Sequence, residues 1–257
     1  MPAVFLGHGN PMNAIERNAF HANWARLGPL LPRPKAVLCI SAHWEAPGIR
    51  VTTARQPETI HDFYGFPEEL FAVEYPAPGD PELAQRVSAL LQGHEVVADG
   101  ERGLDHGAWG VLRPMYPAAD VPVVQLSMDT RQPLQFHYDL ARKLAPLRDE
   151  GVLILGSGNI VHNLRVFRYD DPAAPAWAIE FNDAVKRKVS YGDHQALIDY
   201  RGLSAHAALA VPTIEHYLPL IYVLGVQGEN DEIEFMDDVV LSAISMTSVV
   251  LRDGAAS

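Results

Sequence analysis

Gly151-Val152-Leu153-Ile154-Leu155-Gly156 runs directly into Ser157-Gly158-Asn159-Ile160-Val161-His162-Asn163. Four large apolar residues in a row, bounded by glycines, are what a strand buried on both faces of a sheet requires. The turn that follows carries a histidine, and loops at strand ends are where α/β folds collect their chemistry. The pattern occurs twice more. Ala3-Val4-Phe5-Leu6 stops at Gly7-His8-Gly9, and Ala36-Val37-Leu38-Cys39-Ile40-Ser41 stops at Ala42-His43-Trp44. Val121 to Ser127 reads as a further strand.

Between these runs the period changes to that of helices. Ile15, Phe20, Trp24 and Leu27 fall near helical spacing, with Gly28-Pro29 expected to break the helix. Asp80-Pro81 opens a helix through Leu83, Val87 and Leu91, with a capping carboxylate and a proline at its first position. Further helices are expected over Pro133 to Leu147, Phe181 to Val189 and Leu218 to Leu224. Val239 to Leu251 is apolar and β-branched enough for one or two final strands. Pro57 to Pro81, rich in proline, glycine and aromatics, reads as an ordered loop system or lid. No linker or repeat divides the chain, so residues 1–257 are expected to form one α/β domain. Its central sheet is mainly parallel and flanked by helices, with the site at the carboxyl ends of the strands.

The totals narrow the function. The net charge of -12 argues against nucleic acid and anionic membranes, which need clustered Lys and Arg. No run approaches the roughly 18 apolar residues of a membrane span, and the N-terminus lacks the basic region of a signal peptide. A cytoplasmic protein is expected. The single cysteine, Cys39, sits inside an apolar run and reads as a buried, inert thiol. Familiar motifs fail one by one. His94-Glu95 has Ala98 where a zinc-protease helix needs its second histidine. Gly156-Ser157-Gly158 has Val161 in place of the third glycine of a dinucleotide fingerprint. Ser157 lacks the flanking pattern of a nucleophile elbow. The acids from Glu229 to Glu234, with Asp237-Asp238, lack the spaced oxygens of a calcium loop and read as solvated surface.

Five histidines in short turns remain: His8, His43, His106, His162 and His216. Neutral imidazole is the commonest protein metal ligand and the usual acid/base near neutrality. His8 and His43 follow the early strands, and Gly7 and Gly9 leave room for close backbone approach. Gly156, Gly158 and Asn159 would let a positive-φ turn aim His162 back. His216 has Glu215 beside it, and either could be a ligand. Asp105 could orient a catalytic His106. His61, beside Asp62, reads as structuring its loop. His21, His94, His137, His194 and His206 read as surface or satisfied residues.

Leu6-Gly7-His8-Gly9-Asn10-Pro11-Met12, Ser41-Ala42-His43-Trp44, Asp105-His106-Gly107-Ala108-Trp109-Gly110, Gly158 to Asn163 and Pro212-Thr213-Ile214-Glu215-His216-Tyr217 occur in this order. Together they resemble the DOPA-dioxygenase branch of the class III extradiol ring-cleaving dioxygenases, over nearly the whole chain. The resemblance implies a non-haem metal, Fe(II) for ring cleavage or Zn(II) as bound. It implies His8, His43 and His216 as ligands, His162 as acid/base or fourth ligand, and His106 on the substrate side. The better-known two-subunit enzymes use two histidines and a glutamate, which leaves Glu215 and His216 both open as the third ligand. The implied reaction inserts O₂ next to the diol of a catechol such as DOPA, giving a ring-opened semialdehyde. His162, assisted by His106, would take a phenolic proton and return it. The rivals are a zinc hydrolase on the same cluster and a non-catalytic metal-binding protein on this fold.

Overall fold

The computed structural model describes residues 1–254. Its ten strands are β1 Ala3–Gly7, β2 Ala36–Ser41, β3 Ile49–Thr52, β4 Val96–Asp99, β5 Val123–Gln125, β6 Val152–Gly158, β7 Asp231–Met236, β8 Val240–Leu241, β9 Ile244–Ser245 and β10 Ser248–Asp253. The principal helices are α1 Ala19–Leu30, α3 Pro81–Leu90, α4 His106–Met115, α5 Leu134–Leu144, α7 Ala176–Ser190 and α10 Leu218–Gly225. Single turns make up α2 Glu68–Phe71, α6 Pro146–Asp149, α8 His194–Ile198 and α9 Ala207–Ala210.

Six strands form the central sheet in the order β5-β2-β6-β1-β10-β7. Neighbours from β5 to β1 pair in parallel, while β10 is antiparallel to both β1 and β7. Five strands therefore share one direction. Residues alternate between faces, so each buried strand feeds two cores. Phe5, Leu38 and Ile154 pack with Leu140 of α5, Phe181 of α7 and Leu224 of α10. Val4, Val37 and Leu153 pack on the other side with Trp24 of α1 and Trp109 of α4. Cys39 is buried there as a free thiol, and burial pushes its pKa up, as an inert core residue requires. Among the described residues no helix is long and apolar enough to cross a membrane.

Four expectations need correction. Gly28-Pro29 does not end the first helix, which begins later, after a 3₁₀ turn at Pro11–Ala14, and runs to Leu30. A Cβ at Gly28 would lie 2.1 Å from the Met115 carbonyl oxygen. That glycine is where α1 and α4 approach, and its role is packing. The turn at His106 is in fact the start of α4, capped by the Asp105 side chain, which accepts from the Ala108 N–H at 3.1 Å. The acids expected on a solvated surface belong partly to β7, an edge strand that turns Ile233 and Phe235 inward and Glu232 and Glu234 outward. Asp231 at its start forms a bidentate pair with the buried Arg148. Gly156 and Gly158 do not adopt positive φ; they belong to β6 itself.

Candidate metal centre

Register brings the first two histidines together. Gly7 of β1 lies opposite Gly158 of β6, and Ser41 of β2 lies opposite Ser157. The ladder continues one residue further on both sides, from His8 N–H to Gly158 O at 3.0 Å and from Ala42 N–H to Ser157 O at 2.9 Å. His8 and His43 thus leave the sheet at the same edge, flanking β6. Gly9 takes φ +57° to turn the chain away after His8, and Gly7 lies where a Cβ would meet the Met246 backbone at 2.6 Å.

His216 arrives from the opposite direction, at the mouth of the wholly buried α10. Its carbonyl accepts from Asn159 N–H at 2.8 Å and lies 2.2 Å from where a Cβ on Gly158 would stand. The two β6 glycines therefore exist for close backbone approach, since Gly156 would likewise strike the Pro219 carbonyl oxygen at 2.6 Å. Gly158→Ala is expected to cost about 1–3 kcal/mol through overpacking and to push His216 away from the other rings. Thermal denaturation and metal titration of the variant check it; an unchanged metal affinity would show that this contact does not hold His216 in place.

The three rings form a nearly equilateral triangle, with centroids 5.1 Å apart for His8–His43, 5.2 Å for His43–His216 and 5.3 Å for His8–His216. One ligand nitrogen from each lies within 4.8 Å of the others. The Nε2 atoms of His8 and His43 are 3.2 Å apart, close to the roughly 3.4 Å between two ligands of a tetrahedral ion with metal–nitrogen distances of about 2.1 Å. Partners behind the rings turn the nitrogens this way. Ser157 Oγ–H donates to Gly107 O at 2.5 Å, so at 2.9 Å it accepts from His8 Nδ1–H, leaving the Nε2 lone pair facing the cluster. Glu215 Oε1 lies 3.2 Å from His216 Nδ1, and Asp62 Oδ2 lies 3.6 Å from His43 Nδ1. Outer-sphere partners at Nδ1 are the usual way to orient imidazole ligands. Burial, with the neighbouring imidazoles adding to it, holds His8 and His216 well below the ordinary histidine range and His43 at about 4. Neutral imidazoles with lone pairs converging on one point are a donor set that fits a divalent metal.

The other two histidines flank the triangle. The His162 ring stacks on His216 at 3.5 Å and 9°, and together with Glu215 these two form a second set of close donors. Its backbone is pinned by Ala210 O and a bridge to Ile244, and burial lowers its pKa to about 4. His106 lies 3.9 Å from His43 between ring centroids. Its partner is not Asp105. Asp62 Oδ1 accepts from both the backbone N–H and Nδ1 of His106, each at 2.9 Å. That double bond-pair, outweighing its own burial, holds the Asp62 carboxyl down at about 2. Asp105 works a step further back, accepting from Ser41 Oγ at 2.6 Å and from Gln125 Nε2 at 2.8 Å while Arg102 bridges it to His43 O. Sequence reasoning missed Asp62 and Ser157 as partners; Asp62 stands 44 residues from His106, and no local spacing joins them.

Of the remaining histidines, His61 Nε2 is bonded to Val73 O at 2.9 Å and structures its loop as expected. His137 is buried, satisfied by Tyr222 Oη and Asp129 O. The five clustered histidines line one cleft of about 310 Å³, at the small end of ligand pockets. Phe63 and Phe66 from the aromatic loop form one wall, and Leu164, Phe167 and Tyr169 form the other.

Comparison with known proteins follows this geometry. The description "Catalytic LigB subunit of aromatic ring-opening dioxygenase" matches residues 3–251. A 4,5-DOPA dioxygenase extradiol of Escherichia coli K12 is 46% identical over 97% of this chain and 94% of its own length. One from Beta vulgaris is 40% identical over 90% of this chain and 89% of its own. The solved structure of an uncharacterized E. coli K12 protein superposes with a TM-score of 0.86 at 43% identity, covering 98% of this chain and all of that one.

Proposed function

Because the chain belongs to the family of catalytic LigB subunits of aromatic ring-opening dioxygenases, a metal-dependent family of extradiol enzymes, we propose that the ring it opens is that of a catechol such as DOPA. Cleavage next to the diol would give a semialdehyde. The observation that carries this reading is the triangle of His8, His43 and His216 in the lining of the cleft; three such nitrogens would hold an ion and leave it positions for other ligands. We assign these three as the ligands. A bound Fe(II), or Zn(II) in its place, would supply positive charge and open positions for the diol and O₂.

The chain's own residues supply the proton chemistry. His162 lines the cleft as a neutral base. It takes the proton of a catechol hydroxyl and returns it as the ring opens. His106, with Nδ1 held by Asp62, keeps Nε2 free toward the cleft to assist. Phe63, edge-on to His106 at 5.5 Å, excludes water from that side. His162→Ala is expected to retain its metal while turnover falls by about 10²–10⁴-fold, the usual worth of a positioned acid/base. Metal content and oxygen uptake measured on the same sample check it; loss of metal instead would make His162 a fourth ligand.

The reading itself is tested by anaerobic reconstitution with Fe(II), then addition of a catechol in air. Oxygen uptake with a yellow ring-opened product is expected. Hydrolysis of esters with zinc alone, and no oxygen uptake with Fe(II), would replace it.

A further inference from the structure

Asp105 is wholly buried and lies outside the lining of the cleft. A buried carboxylate is costly unless its oxygens are bonded, and the groups that bond this one lead back to the metal site. Oδ1 accepts from Ser41 Oγ–H at 2.6 Å and from Ala108 N–H at 3.1 Å. Oδ2 accepts from Gln125 Nε2 at 2.8 Å and from Arg102 Nη2 at 3.2 Å. Two of these donors reach on to His43. The Ser41 hydroxyl, donating to Asp105, accepts from His43 N–H at 3.2 Å, and Arg102 Nη2 also donates to His43 O at 3.1 Å. Both backbone polar groups of a residue in the metal triangle are thus fixed through one carboxylate.

The same side chain caps α4, whose first residue is His106. Where this cap meets the His43 turn the packing is tight. A Cβ on Gly107 would stand 2.3 Å from Ser41 Oγ, 2.9 Å from His43 Cδ2 and 3.3 Å from Asp105 Oδ1. The His43 and His106 rings lie 3.9 Å apart between centroids. The geometry points to Asp105, with Arg102 and Ser41 as its arms, as the positioning residue that sets His43 in the triangle against His106 on the substrate side. Asp62 reaches the ring nitrogens; Asp105 holds the backbone from which the His43 ring hangs and the helix start that carries His106. Its consequence for turnover rests on the ring-cleaving reading, and its consequence for metal binding rests on His43 as a ligand.

Arg102 gives the sharper test, because its replacement leaves the other bonds to Asp105 in place. Its guanidinium lies 5.5 Å over the Trp44 ring. Arg102→Met keeps an unbranched stem there and removes the nitrogen, whereas Arg102→Lys keeps one nitrogen, which is all that the two bonds use. Titration of the metal-free proteins with Co(II), followed by its ligand-field absorption, reads the site without turnover. Arg102→Met and Asp105→Asn are each expected to bind Co(II) about 10–100-fold more weakly, with shifted bands, and Arg102→Lys to recover most of the affinity. Val87→Ala, a core truncation in α3 outside the cleft lining, is expected to lower Tm and keep the parent's Co(II) affinity and bands. With Fe(II), kcat per bound ion is expected to fall about tenfold or more in Arg102→Met while KM for a catechol changes less. Parent-like Co(II) affinity and bands in Arg102→Met would overturn the inference, whether or not Asp105→Asn folds, and leave the ring-cleaving reading standing. Equal losses in Arg102→Met and Arg102→Lys, or the same loss in Val87→Ala, would overturn it as well. A parent enzyme that takes up no oxygen with any catechol would remove the ring-cleaving reading and leave the Co(II) result untouched.

Discussion

His216→Ala is expected to strip the metal from the protein, with affinity falling by more than about a hundredfold, whereas Glu215→Gln is expected to keep it with a loss of about 10–100-fold. The two adjacent residues compete for the third place around the ion, and their surroundings separate them. His216 completes a triangle with His8 and His43 whose sides differ by 0.2 Å at most, being 5.1, 5.2 and 5.3 Å. Glu215 stands behind that ring. Its Oε1 receives the Thr213 hydroxyl at 2.7 Å and faces His216 Nδ1 at 3.2 Å, so the same oxygen already serves two groups. Removing the imidazole deletes one of the three nitrogens that lie within 4.8 Å of one another. Neutralising the carboxylate loosens ring orientation and lowers the basicity of Nε2, but leaves the donor in place. Metal content after exhaustive dialysis, together with oxygen uptake at saturating Fe(II), distinguishes the two variants. A metal-free Glu215→Gln beside a metal-loaded His216→Ala would reverse the assignment.

The difference between what the sequence displays and what it conceals has a physical basis. β1, β2 and β6 are buried on both faces, so their apolar runs are continuous and end where the histidines begin. Helix α4 is concealed because Gly107, Gly110 and Pro114 look like breakers. Gly107 is there because a Cβ would meet Ser41 Oγ at 2.3 Å, and Pro114 lies inside the helix, where it leaves the Gly110 carbonyl without its N–H partner one residue before α4 ends at Met115. The Asp105 cap with Trp109, Leu112 and Met115 at helical spacing was the available signal. Strand β7 is concealed because Glu232 and Glu234 point to water. All five turn histidines do converge on one cleft, yet strand order alone cannot say which nitrogen faces inward. That depends on Ser157, Glu215 and Asp62, which meet their rings only through the fold.

Acid is expected to unfold the metal-free protein between pH 6 and 4, and a bound metal is expected to delay it. Burial is the main cause that holds His43, His137 and His162 at about 4 in the folded chain, against an ordinary value of 6.5. Below pH 6.5 the unfolded chain takes up protons that these folded sites refuse. Their stabilising contribution is thus complete above pH 6.5 and is lost as pH falls toward 4. Each site forfeits up to about 3 kcal/mol across that window, and His8 and His216 shift in the same direction. The sum rivals the whole stability of a typical domain, about 5–15 kcal/mol, so the midpoint should fall between pH 6 and 4. Asp62, held at about 2, contributes only below that interval. Zinc binds the neutral form of the ligand imidazoles and should move the midpoint to lower pH, while His137, held by Tyr222 and Asp129 O and not part of the cleft lining, gains no such protection. Circular dichroism across a pH series, with and without one equivalent of Zn(II), measures both effects. A metal-free protein that stays folded to pH 3.5, or a midpoint indifferent to zinc, would mean that the clustered imidazoles are not held neutral by the fold.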